Sequence, residues 1–84
     1  MSYKIKNYIP VSSEAIPQPQ HTFVRTVHAL RADVDGVCHA RLVNDTAFRR
    51  YTIAAGQFAF GEFVEVLRGT FTETDLVGVR FPLE

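Results

Sequence analysis

The segment from residue 49 to residue 69, RRYTIAAGQFAFGEFVEVLRG, constrains the fold of this chain more than any other. It contains three phenylalanines and one tyrosine among three arginines and two glutamates. Placed on a helix, residues 57–68 gather Phe60, Phe63 and Leu67 on one side and the polar side chains on the other. A helix here would make the protein α+β, whereas strands would make it all-β.

The same segment also has the properties of β-strands. Gly61 interrupts the helical pattern, and phenylalanine and valine fit strands better than helices. Residues 48–54 and 62–68 each alternate between two sets of side chains, as strands with two different faces do. The residues by themselves leave both structures open.

Asp35 and Gly36 separate two apolar runs. An Asp-Gly pair is typical of a type I′ β-turn, which needs positive φ at both central residues. We therefore expect a hairpin that pairs the runs on either side of this turn. The alternative is a helix over residues 22–32, where Thr22 is a potential N-cap and three apolar residues follow helical spacing.

Residues 1–21 contain three of the four prolines. Proline fixes φ and keeps the preceding residue extended, so this segment is interpreted as an extended arm. We expect the arm to add to a sheet edge, of this chain or of a second copy, because the edge of a small sheet must be covered or paired. The residues expected to make that contact are Tyr8, Ile9, Pro10, Val11 and Ile16.

A longer stretch, FRRYTIAAGQFAFGEFVEVLRGTFTETDLVGV, resembles the C-terminal, membrane-proximal β-domain of the periplasmic adaptor (membrane-fusion) proteins of efflux systems. The matching residues are Arg49, Arg50, Thr52, Ile53, Gly56, Val64, Glu65, Val66, Leu67, Gly69, Asp75, Val77 and Val79. Phe71 and Thr74 depart from the family pattern, which has leucine and glycine there. IPVSSEAI is also similar to the strand that opens that domain. The resemblance implies strands and a small barrel, and it implies little about transport, since no counterpart of the family's lipoyl domain or helical hairpin is visible.

We therefore predict an all-β fold over residues 22–84, a small barrel or a curled antiparallel sheet of about five strands. The alternative is an α+β fold with helices near residues 22–32 and 57–68. The predicted strands are residues 22–34, 37–43, 48–54, 62–68 and 76–82. The predicted core residues are Val27, Leu42, Ile53, Val64, Val66, Val77, Val79 and Phe81.

The composition is that of one small globular domain, with 84 residues and 46% hydrophobic content. Nine basic and nine acidic residues balance, so bulk charge attracts neither nucleic acid nor a membrane surface. The balance is uneven, because residues 1–60 have three more basic than acidic residues and residues 61–84 have three more acidic than basic ones. Cys38 is the only cysteine, which fits a reducing compartment. Since neither a signal peptide nor a membrane-spanning segment is visible, we expect a cytoplasmic location without membrane insertion.

Catalytic and metal-binding motifs do not stand out. In the expected hairpin, His28 and His39 would lie too far apart to share one zinc ion. Cys38 has no identifiable base beside it, and no glycine-rich phosphate loop is present. We expect no enzyme activity, no metal and no cofactor.

The expected function is a non-catalytic protein-binding or assembly module, with a protein partner or a second copy of the chain as its ligand. Arg49 and Arg50 join the arm residues as candidate partner-binding residues. The alternative is a single-stranded nucleic-acid-binding barrel that uses an arginine and aromatic face. The residues of that face would be Phe48, Arg49, Arg50, Tyr51, Phe58 and Phe60.

Overall fold

The computed structural model describes residue 7 and residues 9–83, and this part of the chain forms one antiparallel sheet with no helix. The six strands are β1 (Ser12–Ala15), β2 (Gln20–Ala32), β3 (Gly36–Leu42), β4 (Arg49–Ile53), β5 (Phe58–Leu67) and β6 (Leu76–Arg80). Their order across the sheet is β1-β6-β2-β5-β3-β4, so β1 and β4 are the edges. The sheet is curled but not closed into a barrel.

The predicted all-β fold with a curled antiparallel sheet is confirmed. The five predicted strands overlap β2 to β6, and the sixth strand, β1, comes from the segment predicted as an arm. The alternative helices near residues 22–32 and 57–68 are wrong, because both ranges lie within or almost within β2 and β5.

The helix-like spacing of apolar residues in β2 is caused by irregular strand pairing, not by a helix. Phe23, Val27 and Leu30 all belong to the main core, although their spacing is not that of a regular strand. The pairing of β2 with β5 shifts register between Thr22 and Val27 and again between Val27 and Ala29. Each shift changes which side chains face inward, and the result imitates the spacing of a helix.

The hairpin predicted at Asp35 and Gly36 is wrong. β5 lies between β2 and β3 in the sheet, and neither turn residue has positive φ, so a type I′ turn is excluded. The turn bonds to other loops instead: Asp33 N donates to Asp75 O, and Ala55 N donates to Oδ1 of Asp35, both at 2.8 Å. A connection of three residues between strands on either side of β5 requires a strongly curled sheet.

The main core fills the inside of the curl. Its buried residues are Ile16, Phe23, Val27, Leu30, Ala32, Cys38, Ala40, Ile53, Phe63, Val66, Phe71 and Leu76. Among the predicted core residues, Val27, Ile53, Val66, Val79 and Phe81 are buried, and Leu42, Val64 and Val77 are half-buried. Tyr51 packs edge-on against Phe63 with ring centroids 5.2 Å apart.

β2 bends where its pairing with β5 is interrupted. Thr22 pairs with Glu65 and Val27 with Phe63, so residues 23–26 form a bulge without regular partners on β5. Bulges bend a strand and increase its twist, and beyond this bend β2 pairs with β6 as well as β5. Beside it, a Cβ on Gly78 would lie 2.6 Å from Cε1 of Phe23, so the missing side chain makes room for Phe23.

Gly69 closes the turn that follows β5. Its φ is +59°, and Phe71 N donates to Arg68 O across the turn at 3.0 Å. A Cβ at Gly69 would lie 2.2 Å from the carbonyl oxygen of Val37. Glycine is therefore needed here both for backbone conformation and for the close approach to β3.

We expect Gly69→Ala to destabilise the fold more than Gly56→Ala. Gly56 also has positive φ, at +77°, but a Cβ there meets nothing within 4 Å. Gly56→Ala should therefore cost only the left-handed backbone strain, about 1–2 kcal/mol, whereas Gly69→Ala adds a clash with backbone. Urea unfolding of both variants measures the difference, and equal costs would contradict the close packing of Gly69 on β3.

Candidate binding surfaces

The candidate partner-binding residues lie at two opposite edges of the sheet. Ile9 and Val11 are 72% and 66% exposed beside β1, whereas Ile16 is fully buried in the main core. Arg49 and Arg50 are exposed on β4, the other edge strand. Pro10 is exposed beside Ile9 and Val11, and Tyr8 lies outside the described residues. The two groups therefore do not form one site, and their role in partner binding stays a prediction.

The segment predicted as an arm supplies an edge strand of its own sheet. β1 runs antiparallel to β6, with Ser12 opposite Arg80 and Ala15 opposite Val77. Val11 N extends this pairing by donating to Arg80 O at 2.8 Å. β1 thus covers the edge that β6 would otherwise present.

A buried arginine connects β1, β2 and β6. Arg80 is 8% exposed, and its Nη2 donates to Oε1 of Glu14 on β1 at 2.7 Å. The same guanidinium donates to the carbonyl oxygens of Arg25 and Thr26, at 2.6 Å and 3.3 Å. Both carbonyls belong to the bulge of β2. Arg80 therefore satisfies backbone groups that the bulge leaves without a regular strand partner.

Glu14 receives two further contacts in addition to Arg80. Nε2 of His21 lies 2.7 Å from Oε2 of Glu14, and Val24 N donates to the same oxygen at 3.1 Å. Burial by itself would raise the pKa of Glu14, but these hydrogen bonds and the one from Arg80 lower the pKa below its ordinary value. Because the folded state then binds the proton less tightly than the unfolded state, Glu14 stabilises the fold above about pH 4.5, and this contribution is lost as pH falls further.

Replacing Arg80 with methionine should lower the free energy of unfolding by about 3–5 kcal/mol, because Glu14 loses the cation that compensates its burial. Arg49→Met is the matched control. Arg49 pairs with Asp45 at 2.6 Å, but at an exposed edge, where such a pair contributes little to stability. Urea unfolding compares the two variants. Similar losses in both would show that Arg80 does not have the structural role assigned to it.

The outer face of the sheet carries a second apolar cluster. Phe58 and Phe60 on β5 contact the ring of Phe81, with centroids 5.7 Å and 6.1 Å away. Ala29 and Val79 are buried in the same cluster. Phe60 is nevertheless 51% exposed. A half-exposed phenylalanine on a small aromatic cluster is a feature of contact surfaces rather than of cores.

Residues before β1 and after β6 extend this cluster. Pro10 lines a shallow depression with Val77 and Val79, and Val11 lines a second depression with Phe81 and Leu83. We call the combined surface the outer patch. Its accessible residues are Pro10, Val11, Phe58, Phe60, Val77 and Leu83, and the buried Val79 and Phe81 lie beneath them.

Sequence reasoning did not predict the outer patch, because it assigned Phe58 and Phe60 only to the alternative face for nucleic acid. Phe23, Phe63 and Phe71 are buried in the main core, whereas Phe58 and Phe60 lie on the outer face against Phe81. The available signal was the alternation of large and small residues in FAFG, residues 58–61. In a strand this pattern places both phenylalanines on one face and the small residues on the other.

The structure does not assemble the arginine and aromatic residues into one stacking platform. Phe58 and Phe60 pack with Phe81 from beyond β6, whereas Arg49 and Arg50 lie on β4, which is separated from β5 by β3. Tyr51 turns inward onto Phe63.

Few of the described residues have side chains placed for catalysis or metal binding. Within residue 7 and residues 9–83, no group of three or more histidine, cysteine, aspartate or glutamate side chains is placed to hold a metal ion. Burial raises the pKa of the Cys38 thiol to about 11, so the nucleophilic thiolate is scarce at neutral pH. In the same part of the chain, no helix is long and apolar enough to cross a membrane.

His28 ties the end of β6 to β2. Its Nδ1 accepts a hydrogen bond from Phe81 N at 2.8 Å, so this ring is neutral with its proton on Nε2. Burial lowers the pKa of His28; the nearby Glu62 carboxylate raises it, and Arg80 lowers it further, so that it lies below the ordinary value of 6.5.

We expect His28 to make the fold less stable in mild acid. The unfolded chain binds the proton at His28 more tightly than the folded chain does, so the free energy of unfolding decreases as the pH is lowered below about 6.5. The stability difference between wild type and His28→Gln should therefore shrink from neutral pH to about pH 5. Chemical unfolding at a series of pH values measures it, with His39→Gln as the control. A difference that is independent of pH would rule out this role for His28.

Comparison with known proteins returns no relative: no protein-family model, no curated protein and no solved structure matches the chain significantly. The resemblance to the β-domain of periplasmic adaptor proteins therefore stays a prediction.

Proposed function

We propose that this protein is a non-catalytic protein-binding module whose contact surface is the outer patch. The observation that carries the proposal is the exposure of Phe60, which is 51% accessible although its ring belongs to an aromatic cluster. Covering the exposed half of this side chain contributes about 1 kcal/mol, roughly half of what full burial of a phenylalanine gives. Aromatic residues of this kind are frequent among the dominant contacts of protein interfaces.

The geometry of the outer patch favours a protein over a small molecule. Its depressions are shallow and open, and they are lined by side chains of β1, β2 and β6 and of the residues that flank β1 and β6. Phe58 and Phe60 of β5 lie beside them, against Phe81. Small ligands prefer enclosed pockets that bury most of their surface. A broad apolar surface with a polar surround fits a protein partner, or a second copy of the chain, better.

Single-stranded nucleic acid is the less favoured ligand. A stacking surface for bases needs several cations beside the aromatic rings to contact phosphates. Arg31 lies opposite Phe58 but near the Asp33 carboxylate, at 3.8 Å, and Arg49 and Arg50 are on a different part of the sheet from Phe60. Balanced net charge also gives little general attraction to phosphate.

Cys38 as the only cysteine supports the cytoplasm as the proposed compartment.

The test compares Phe60→Ser with Val34→Ser. Val34 is 43% exposed in the turn after β2 and is not part of the outer patch, so it controls for loss of an exposed apolar side chain. A partner found by crosslinking is purified and titrated calorimetrically against wild type and both variants, and sedimentation velocity covers self-association. Phe60→Ser should weaken binding or self-association at least about tenfold, and Val34→Ser should not. Equal behaviour of the two variants would refute the outer patch as the contact surface.

A further inference from the structure

The outer edge of β4 is open in the part of the chain that the structure describes. β4 pairs only with β3, with Arg50 opposite His39 and Thr52 opposite Val37. In an edge strand, alternate residues direct both their N–H and C=O groups away from the sheet. Apart from its pairing with β3, no backbone hydrogen bond involves Arg50, Tyr51 or Thr52 among the described residues.

Arg50 has no counterion in the described part of the chain. It makes no hydrogen bond or ion pair with any residue that the structure describes. The residues aligned with Arg50 on the successive strands β3, β5 and β2 are His39, Leu67 and Gln20, and none of these is acidic. Glu65, two residues before Leu67 on β5, already binds Arg41 and Gln20.

Arg49 adds a second cation at the same edge. Its Nε donates to Oδ2 of Asp45 at 2.6 Å, so this carboxylate compensates Arg49, whereas Arg50, the next residue along the strand, points to the other face. Asp45 itself is held by this contact and by Ala47 N, which donates to its Oδ1 at 3.2 Å. The edge therefore combines unpaired backbone groups with uncompensated positive charge.

We propose that the free edge of β4 takes an extended peptide segment with acidic residues at alternate positions. Backbone groups of the peptide would pair with those of β4, and carboxylates at alternate positions would lie on the face of the sheet that carries Arg50. A second copy of the same edge fits less well, because charged edge residues oppose pairing of identical strands. This site goes beyond the proposed function, since β4 lies at the opposite side of the sheet from the residues that flank the outer patch at β1.

The probe is a capped peptide that alternates glutamate and valine, titrated by calorimetry at low ionic strength against the full chain. Arg50→Gln should weaken its binding about fivefold, and raising the salt concentration should weaken the binding to wild type. Arg25→Gln is the control, because Arg25 is exposed on the bulge of β2. Phe60→Ser should bind the peptide as wild type does, which separates this site from the outer patch. Amide hydrogen exchange should show new protection within residues 49–53.

Two companion peptides test the mode of binding. One alternates lysine and valine, and the other is the glutamate peptide with alternate backbone amides methylated. Neither should bind, because the first carries the wrong charge and the second lacks main-chain donors. Absence of glutamate-peptide binding, equal effects of Arg50→Gln and Arg25→Gln, or new protection at β1 instead of β4 would overturn the proposal. Binding of single-stranded oligothymidylate that depends on Arg50, without peptide binding, would overturn it in favour of nucleic acid.

Discussion

The bulge in β2 imposes the constraint on which most of this structure depends. Residues 23–26 leave regular pairing with β5, so their carbonyl groups need other donors. A buried carbonyl without a partner costs about 1–3 kcal/mol. Arg80 supplies donors to two of these carbonyls, because a guanidinium offers several N–H groups in a fixed plane. The buried positive charge then requires a carboxylate, and Glu14 provides it.

The position of β1 follows from this requirement and leads to the outer patch. Glu14 lies on β1, so its ion pair with Arg80 fixes β1 against β6. That pairing also places Pro10 and Val11 next to Val77 and Phe81 on the outer face. An electrostatic contact inside the fold thereby determines which apolar side chains meet outside. Loss of Arg80 would disturb the outer patch without removing any of its members.

Fold class could be predicted from the sequence, whereas strand pairing could not. Alternation in residues 48–54 and 62–68 fitted strands but left a helix over 57–68 open, and the resemblance to an all-β domain decided the prediction that the structure confirms. The Asp35-Gly36 turn misled, because turn propensity describes φ and ψ but not which strand lies beside the next one. Here the turn residues are held by bonds to Asp75 and Ala55 from distant parts of the chain. Ile16 shows the same limit, since the proline pattern around it does not reveal that its side chain enters the core.

The outer face of the sheet is apolar at one end and polar at the other, because the curled β5 contributes its first half to one end and its second half to the other. Its first half carries Phe58 and Phe60 next to β2 and leads toward β6, whereas its second half carries Glu65 between β2 and β3. Glu65 is bound to Gln20 and Arg41, so this end is polar and largely satisfied within itself. At β4, the last strand on this side of the sheet, Arg50 has no carboxylate partner among the described residues. Apolar contact area and unpaired charge are therefore found at different ends of one small sheet, and a single partner would have to span the sheet to use both.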